Sequence, residues 1–269
     1  MPSPSREPLT ARNADPHALY QDSVQDPVED VRTVREIAAE MSGRSPKSVR
    51  EDFCGTAIFS TEWVRGDVSA SAVGVDLDAS VVDWGKSRHI SELGQGDGEL
   101  DLVIGDVLQP DGRRFDVVCA MNFSYFIFKQ RREMLAYFQS VRESLVEDGS
   151  LVLDFYGGTE AGEEMEEERE QEGFKFVWDQ AEVNAIDNSI VNHIHFRFPD
   201  GSSIQEAFTY NWRLWQIPEI VDILHDAGFS DIGVFWEGED EDGDGTGEFT
   251  RETVGDNDPG WIAYIGARR

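Results

Sequence analysis

The sequence predicts an α/β protein: a seven-stranded, mostly parallel sheet with an antiparallel β insert after the fifth strand. Three observations carry this expectation. Strand-type apolar runs alternate with helical periodicity up to about residue 156, the pattern of a doubly wound sheet. The alternation stops after Gly157 and Gly158, where three further strand-type runs follow with no helix between them. A last helix and two strands, within 217–266, return the chain to the first pattern.

Each element has its own signal. Residues 1–16 mix Pro, Ser, Arg and Asp without periodicity and read as a loose arm. Val28, Val31, Val34, Ile37, Ala38 and Met41 recur at helical spacing and Gly43 stops the run, so a helix precedes the first strand. Strands are expected near 48–53, 72–76, 100–105, 115–121 and 150–156, with helices near 56–64, 79–93 and 130–145. A Glu-rich segment follows, then strands around 174–179, 192–198 and 203–210. Pro199, Asp200 and Gly201, between the last two, suit a hairpin turn. Residues 217–227 read as a helix closed by Gly228, 232–236 and 261–266 as strands, and 237–258 as an acidic, Gly-rich loop. The expected organisation is therefore 1–46 arm and helix, 47–156 core, 157–216 acidic segment and insert, and 217–269 a helix and strands completing the sheet.

Composition bounds the function. The 269 residues are 39% hydrophobic and include 7 Trp and 16 Phe, core material that a wholly disordered chain lacks. No apolar run approaches the roughly 18 residues of a spanning helix, and the first residues hold no apolar signal core, so a cytoplasmic protein is expected. Cys54 and Cys119 fall in apolar, strand-like sequence and read as reduced, buried thiols. The balance of 23 Lys+Arg against 54 Asp+Glu gives a formal charge of −31, which disfavours phosphate backbones and anionic lipid. Neither nucleic acid nor membrane is an expected partner. Acid is densest at 160–172 and 237–258 but is spread over the whole chain, a surface suited to the screening of a salt-rich, halophilic cytoplasm.

The chemistry-bearing residues lie where strands end. Glu51, Asp52, Phe53, Cys54, Gly55, Thr56 and Ala57 occupy the turn from the first strand into a helix, and in open α/β sheets ligands bind at such carboxyl ends. Asp76 closes the second strand, 21 residues after Gly55, where an acid can accept both hydroxyls of a ribose. Asp106 closes the third strand, placed to bond an adenine amino group. Asn122 follows the fourth strand and could line a cofactor's amino acid end, an acceptor pocket or an ordinary turn. Structural alternatives stand beside these: Glu51 and Asp52 could cap the next helix or pair with Arg50, and Asp106 could be a turn aspartate.

Here the sequence resembles the class I S-adenosylmethionine-dependent methyltransferases. Glu51 and Gly55 hold the acid and central-glycine positions of that family's first motif, while Phe53 and Ala57 replace two of its usual glycines. Asp76, Asp106, the strand at 115–120 and the helix, tight turn and strand of 145–154 complete the match, and EDFCGTA looks like the variant first motif of a bacterial subgroup. The resemblance implies a Rossmann-like methyltransferase sheet, S-adenosyl-L-methionine as cofactor, and cofactor contacts from Glu51, Phe53, Gly55, Thr56, Asp76, Leu77, Asp106, Val107 and Asn122. Such a cofactor has no pyrophosphate, so the turn can carry side chains that a dinucleotide fingerprint excludes.

The insert is where acceptor selectivity is expected. Period-two spacing puts His193, His195 and Arg197 on one face and Ile194, Phe196 and Phe198 on the other. Either histidine is a candidate general base, against the alternative of a polar solvent face. Tyr210 and Arg213 are further candidates, Arg213 as a carboxylate holder; Trp212 and Trp215 read first as packing residues. Two histidines without a third ligand give no metal site. Residues 240–246 match the opening of a calcium loop, but Arg251 stands where the closing Glu belongs, so a solvated loop is expected. The function expected is methyl transfer to a small-molecule acceptor through N or O. The rivals are a protein methyltransferase acting on a basic peptide and a non-catalytic nucleoside-binding module.

Overall fold

A computed structural model of the chain describes residues 7–240, 243 and 245–269. It divides into two compact units, Met1–Asp26 with Gly162–Leu214 and Pro27–Ala161 with Trp215–Arg269. In chain order the elements are α1 (Pro16–Val24), α2 (Pro27–Ser42), β1 (Ser48–Asp52), α3 (Ile58–Val64), β2 (Ser71–Asp76), α4 (Ala79–Arg88), β3 (Glu99–Ile104), β4 (Phe115–Ala120), α5 (Arg131–Glu143) and β5 (Leu145–Gly157). Then come β6 (Met165–Gln171), β7 (Phe174–Val183), β8 (Ser189–Arg197), β9 (Ser203–Arg213), α6 (Ile217–Ala227), β10 (Asp231–Glu239), β11 (Gly245–Glu252) and β12 (Trp261–Arg268).

The larger unit is built on a sheet of order β11-β10-β12-β5-β4-β1-β2-β3. β1 pairs in parallel with both β2 and β4, and the parallel set extends to β3 and β5; β12 runs antiparallel to β5 and β10. The chain leaves β1 for β2 on one side and reaches β4 on the other. This reversal opens a crevice at the carboxyl ends of β1 and β4. The apolar stripe of α2, with Val34, Ile37, Ala38 and Met41, joins Trp63 of α3 and Val117, Cys119 and Val152 of the strands in one core. Gly43, at φ +73°, follows α2 as the sequence implied.

Among the described residues the sheet has eight strands, one more than the seven expected. The extra strand, β11, comes from the stretch read as an acidic loop. Its side chains are mostly exposed, so no apolar alternation betrays it; backbone pairing to β10 and an Arg251–Asp231 ion pair hold it. Residues 241, 242 and 244 of the calcium-like pattern lie outside the described residues, and no group of three metal-ligating side chains occurs among the described ones.

The smaller unit is a four-stranded antiparallel meander, β6-β7-β8-β9. The β8–β9 turn forms at Pro199–Gly201, with Asp200 accepting from the Ser202 N–H and Gly201 at φ +84°. β6 is the Glu-rich segment. The arm is not loose over its described part: Leu9, Ala11 and Ala14 pack with α1 on the cluster of Phe174, Phe176, Ile194 and Phe196, and the Ala11 N–H donates to Ser202 Oγ. The arm and α1 thus belong to the insert's unit, across the boundary expected at residue 46. No described helix is long and apolar enough to cross a membrane.

Candidate cofactor site at the carboxyl ends of the parallel strands

The turn after β1 has an unusual backbone. Phe53, Gly55 and Ala57 all take left-handed φ, at +60°, +52° and +57°, and Asn122 and Phe123 after β4 do the same at +56° and +57°. For residues with a Cβ this conformation costs about 1–2 kcal/mol each, and it persists where surrounding contacts enforce it. Four of the seven non-glycine residues with positive φ among those described lie in these two turns, which extend from adjacent strands.

Asp76 enforces the first turn. Its Oδ2 accepts from the Gly55 N–H at 2.9 Å and its Oδ1 from the Asp78 N–H at 2.9 Å. Each carboxylate oxygen carries a second lone pair, so the half-buried group can still accept from a ligand's hydroxyls. Beside it Leu77 is 71% exposed, and Ile104, paired with Asp76 across the strands, is 50% exposed. Apolar side chains held in water next to a carboxylate suit the face of a nucleobase whose ribose reaches the acid. Thr56 is buried, and its carbonyl lies so close to α4 that a Cβ added at Gly85 would come within 2.1 Å of it. Only glycine lets α4 approach the turn.

Asp106 forms a local turn, accepting from the Leu108 N–H at 2.9 Å and from Gln109 Nε2. Val107 is buried, and its carbonyl accepts from Arg50 Nη2 and Ser140 Oγ, so it supports the floor of the site. Arg50 also bonds Asp52 at 2.6 Å and Ser144, while Tyr137 Oη donates to Asp52. Of the two partners the sequence offered Arg50, Asp52 is the one it takes. Burial pushes the Asp52 carboxyl up to about 6 against the pull of Arg50.

Glu51 is almost wholly buried, and its Oε2 accepts from both the N–H and the hydroxyl of Ser60 in α3, at 3.0 and 2.5 Å. The helix-anchoring job is therefore realised at Oε2. Burial pushes the Glu51 carboxyl up to about 8. Since the folded state binds this proton more tightly than the unfolded chain, the contribution is fullest below about pH 4.5 and is lost as pH rises through about 8. Glu51→Gln should accordingly lose about 2 kcal/mol less stability than the unmodified protein between pH 5 and pH 7. Identical pH dependence in denaturant titrations of the two proteins would refute this.

Asn122 is placed by a residue the sequence reading did not single out. The N–H groups of Asn122 and Phe123 donate to Asp154 Oδ2 and Oδ1, at 2.6 and 3.0 Å, and Tyr125 Oη donates to the Asp154 carbonyl. Burial pushes this carboxyl up to about 8, and the two N–H donors pull it back toward the ionised form, in which both oxygens accept. The available signal was an acid inside an otherwise apolar strand, 151–156, where charge is rare without a partner. Phe53, Phe123, Phe128 and Tyr156 border these turns, with ring contacts of 6.0 Å between Phe53 and Phe128 and 4.7 Å between Phe123 and Tyr156.

The candidate catalytic residues fall in the smaller unit and are engaged there. His195 is buried: its Nδ1 accepts from the Glu206 N–H at 2.7 Å, so Nε2 carries the proton and donates to Asp179 Oδ2 at 3.2 Å. With both nitrogens occupied it has no lone pair for a substrate proton, which corrects its reading as a general base. A register shift between Ile194 and Phe196 takes it off the regular alternation. His193 bonds Thr209 Oγ1, and Arg197 is bound to Glu166 and Glu168. Tyr210 bonds Tyr20 of α1 and lies 4.5 Å from the buried Trp212 ring. Arg213 stands beside Ser189 on β8 and is half-buried. A groove of about 660 Å³ in the same unit, bordered by Glu168, Lys175, Arg197, Phe198 and Ser202, contains none of the candidates.

The chain has the fold of the S-adenosylmethionine-dependent methyltransferases. It superposes on such an enzyme from Clostridium acetobutylicum with a TM-score of 0.69 at 14% identity, over 93% of this chain and 97% of the other. The sugar N-methyltransferase KedS8 from a Streptoalloteichus species gives 0.62 at 18% identity, over 100% and 97%. CalS10, an amino pentose methyltransferase from Micromonospora echinaspora solved with S-adenosylmethionine bound, gives 0.64 at 14% identity, over 94% and 96%. No protein-family model and no curated protein matches the sequence.

Proposed function

We propose that the protein is an enzyme that transfers the methyl group of S-adenosylmethionine to a nitrogen or oxygen of a small molecule. The observation that carries this reading is Asp76, a half-buried carboxylate that braces the first turn and stands beside exposed Leu77 and Ile104. The residues fit the cofactor. Asp76 would take the ribose hydroxyls, Leu77 and Ile104 the adenine face, Asp106 the adenine amino group, and the Phe53–Thr56 turn with Asn122 the amino acid end. The turn carries the side chains of Phe53 and Ala57 where a dinucleotide fold brings bare backbone to a pyrophosphate.

The bound cofactor supplies an activated methyl group on a sulfonium. What remains for this chain is to align the acceptor's lone pair with that carbon and to shield the site from water. As the acceptor's bond to carbon forms, the carbon–sulfur bond breaks and sulfur keeps its electron pair. An amine acceptor that arrives unprotonated needs no base before transfer, and its surplus proton leaves to solvent afterwards. This is consistent with His195 being fully engaged. The methylation of sugars and amino pentoses named for two of the similar structures makes an amino sugar the first acceptor to test.

Calorimetry is expected to show S-adenosylmethionine and S-adenosylhomocysteine binding with comparable affinity and NAD not binding. Tight NAD binding with no response to S-adenosylhomocysteine would overturn the reading. Turnover with any acceptor separates an enzyme from a nucleoside-binding module.

A further inference from the structure

Two consecutive left-handed residues that both carry a Cβ make a rare backbone, because αL is ordinarily visited by single residues. Asn122 and Phe123 form such a pair at the end of β4. Their N–H groups converge on one carboxylate, as successive backbone donors do when they cradle an anion. That carboxylate belongs to Asp154 on the neighbouring strand, one residue beyond the last β4–β5 pair, Ala120 with Leu153. It is 6% exposed and takes the two donors one to each oxygen. A third bond, from Tyr125 Oη to the Asp154 carbonyl, fixes the following short turn to the same residue, and Tyr125 itself is fully buried. The connection from β4 is thus held at three points by Asp154.

The part held is the part that faces the crevice. β4 lies beside β1, with Asp52 paired to Ala120, so Asn122 and the Phe53–Thr56 turn project from the same edge, two and a few residues beyond that pair. Any rotation of the 122–123 backbone would swing the Asn122 side chain and lift the Phe123 ring from Tyr156. Resting on the methyl-transfer reading above, we propose that Asp154 is a positioning residue of the cofactor site: by clamping the left-handed Asn122–Phe123 pair it presents Asn122 to the amino acid end of the cofactor. It touches no ligand itself and acts through the two residues it holds.

Asp154→Asn tests this, because an amide oxygen can accept one N–H while its NH2 opposes the other. S-adenosylhomocysteine is the probe, since it lacks the sulfonium charge and carries no methyl group to transfer during the titration. The variant should bind it at least tenfold more weakly. Amide hydrogen exchange should quicken at Asn122 and Phe123 while the rest of β4 and β5 stays protected, a pattern that general destabilisation does not give. Faster local exchange with affinity within threefold of the unmodified protein would make the clamp a fold element only and overturn the proposal, as would no change in either readout. If Asp154→Asn loses protection everywhere, Tyr125→Phe removes one bond without changing shape, and it should weaken binding threefold or more; unaltered affinity there also overturns the proposal. Failure of the unmodified protein to bind S-adenosylhomocysteine would overturn the methyl-transfer reading and the proposal together, and is distinguishable from failure of the clamp alone.

Discussion

Asp76→Ala should reduce affinity for S-adenosylhomocysteine at least a hundredfold in a protein that remains folded. A carboxylate that accepts two ribose hydroxyls contributes about 1.5–3 kcal/mol for each charge-assisted bond, and two such bonds correspond to two or more decades of affinity. The structure adds to this. Asp76 also receives the Gly55 and Asp78 N–H groups, so its loss releases the turn that would meet the rest of the cofactor. Because the side chain sits at a strand end and not in the core, little stability goes with it. Calorimetric titration alongside thermal unfolding checks both halves, and affinity unchanged within threefold in a folded variant would refute the ribose assignment.

Asp52→Ala should cost about 3–5 kcal/mol of stability. Arg50 is 4% exposed and Asp52 is fully buried; removing the carboxylate strands a guanidinium charge in the core and leaves Tyr137 Oη without its acceptor. Replacing both charges, as Arg50→Met with Asp52→Leu, should recover most of the loss, since the cost lies in the unpaired charge more than in the missing bond. Denaturant titration of the single and double variants measures this. A single-variant cost below about 1 kcal/mol, or a double variant no better than the single, would refute it.

The parallel core was legible because apolar side chains alternate with helix-forming stretches, and burial follows that pattern in β1, β2, β4 and β5, though not in the edge strand β3. β6 and β11 were not legible for the same reason in reverse. Glu166, Glu167, Glu168 and Glu170 make a strand through backbone pairing to β7 and ion pairs with Lys175 and Arg197, and a periodicity rule reads apolar side chains alone. The first 26 residues were missed because α1 is short and weakly amphipathic; its helix is set by the Asp15 cap, Pro16 and docking on Phe208 and Tyr210. Among site residues, Asp76 announced itself by spacing, whereas Asp154 acts through a strand pairing that no local motif encodes. His195 illustrates the opposite error: strict alternation assigned it to a polar face, and a bulge that inserts two residues into β9 opposite it buried it between Asp179 and the Glu206 amide.

The path of the chain through the two units bears on how the protein is made. α1 leaves the ribosome well before the strands it packs on, which begin at Phe174, and the smaller unit is complete only at Leu214. At about 5–20 residues per second, a typical elongation rate, the apolar side chains of α1 wait several seconds or longer for their partners. The larger unit waits too, since β12 slots between β5 and β10 and is synthesised after both of them. Neither unit can therefore close in order of translation, and each must hold an open sheet edge until distant chain arrives, which is the long-range contact pattern that slows folding.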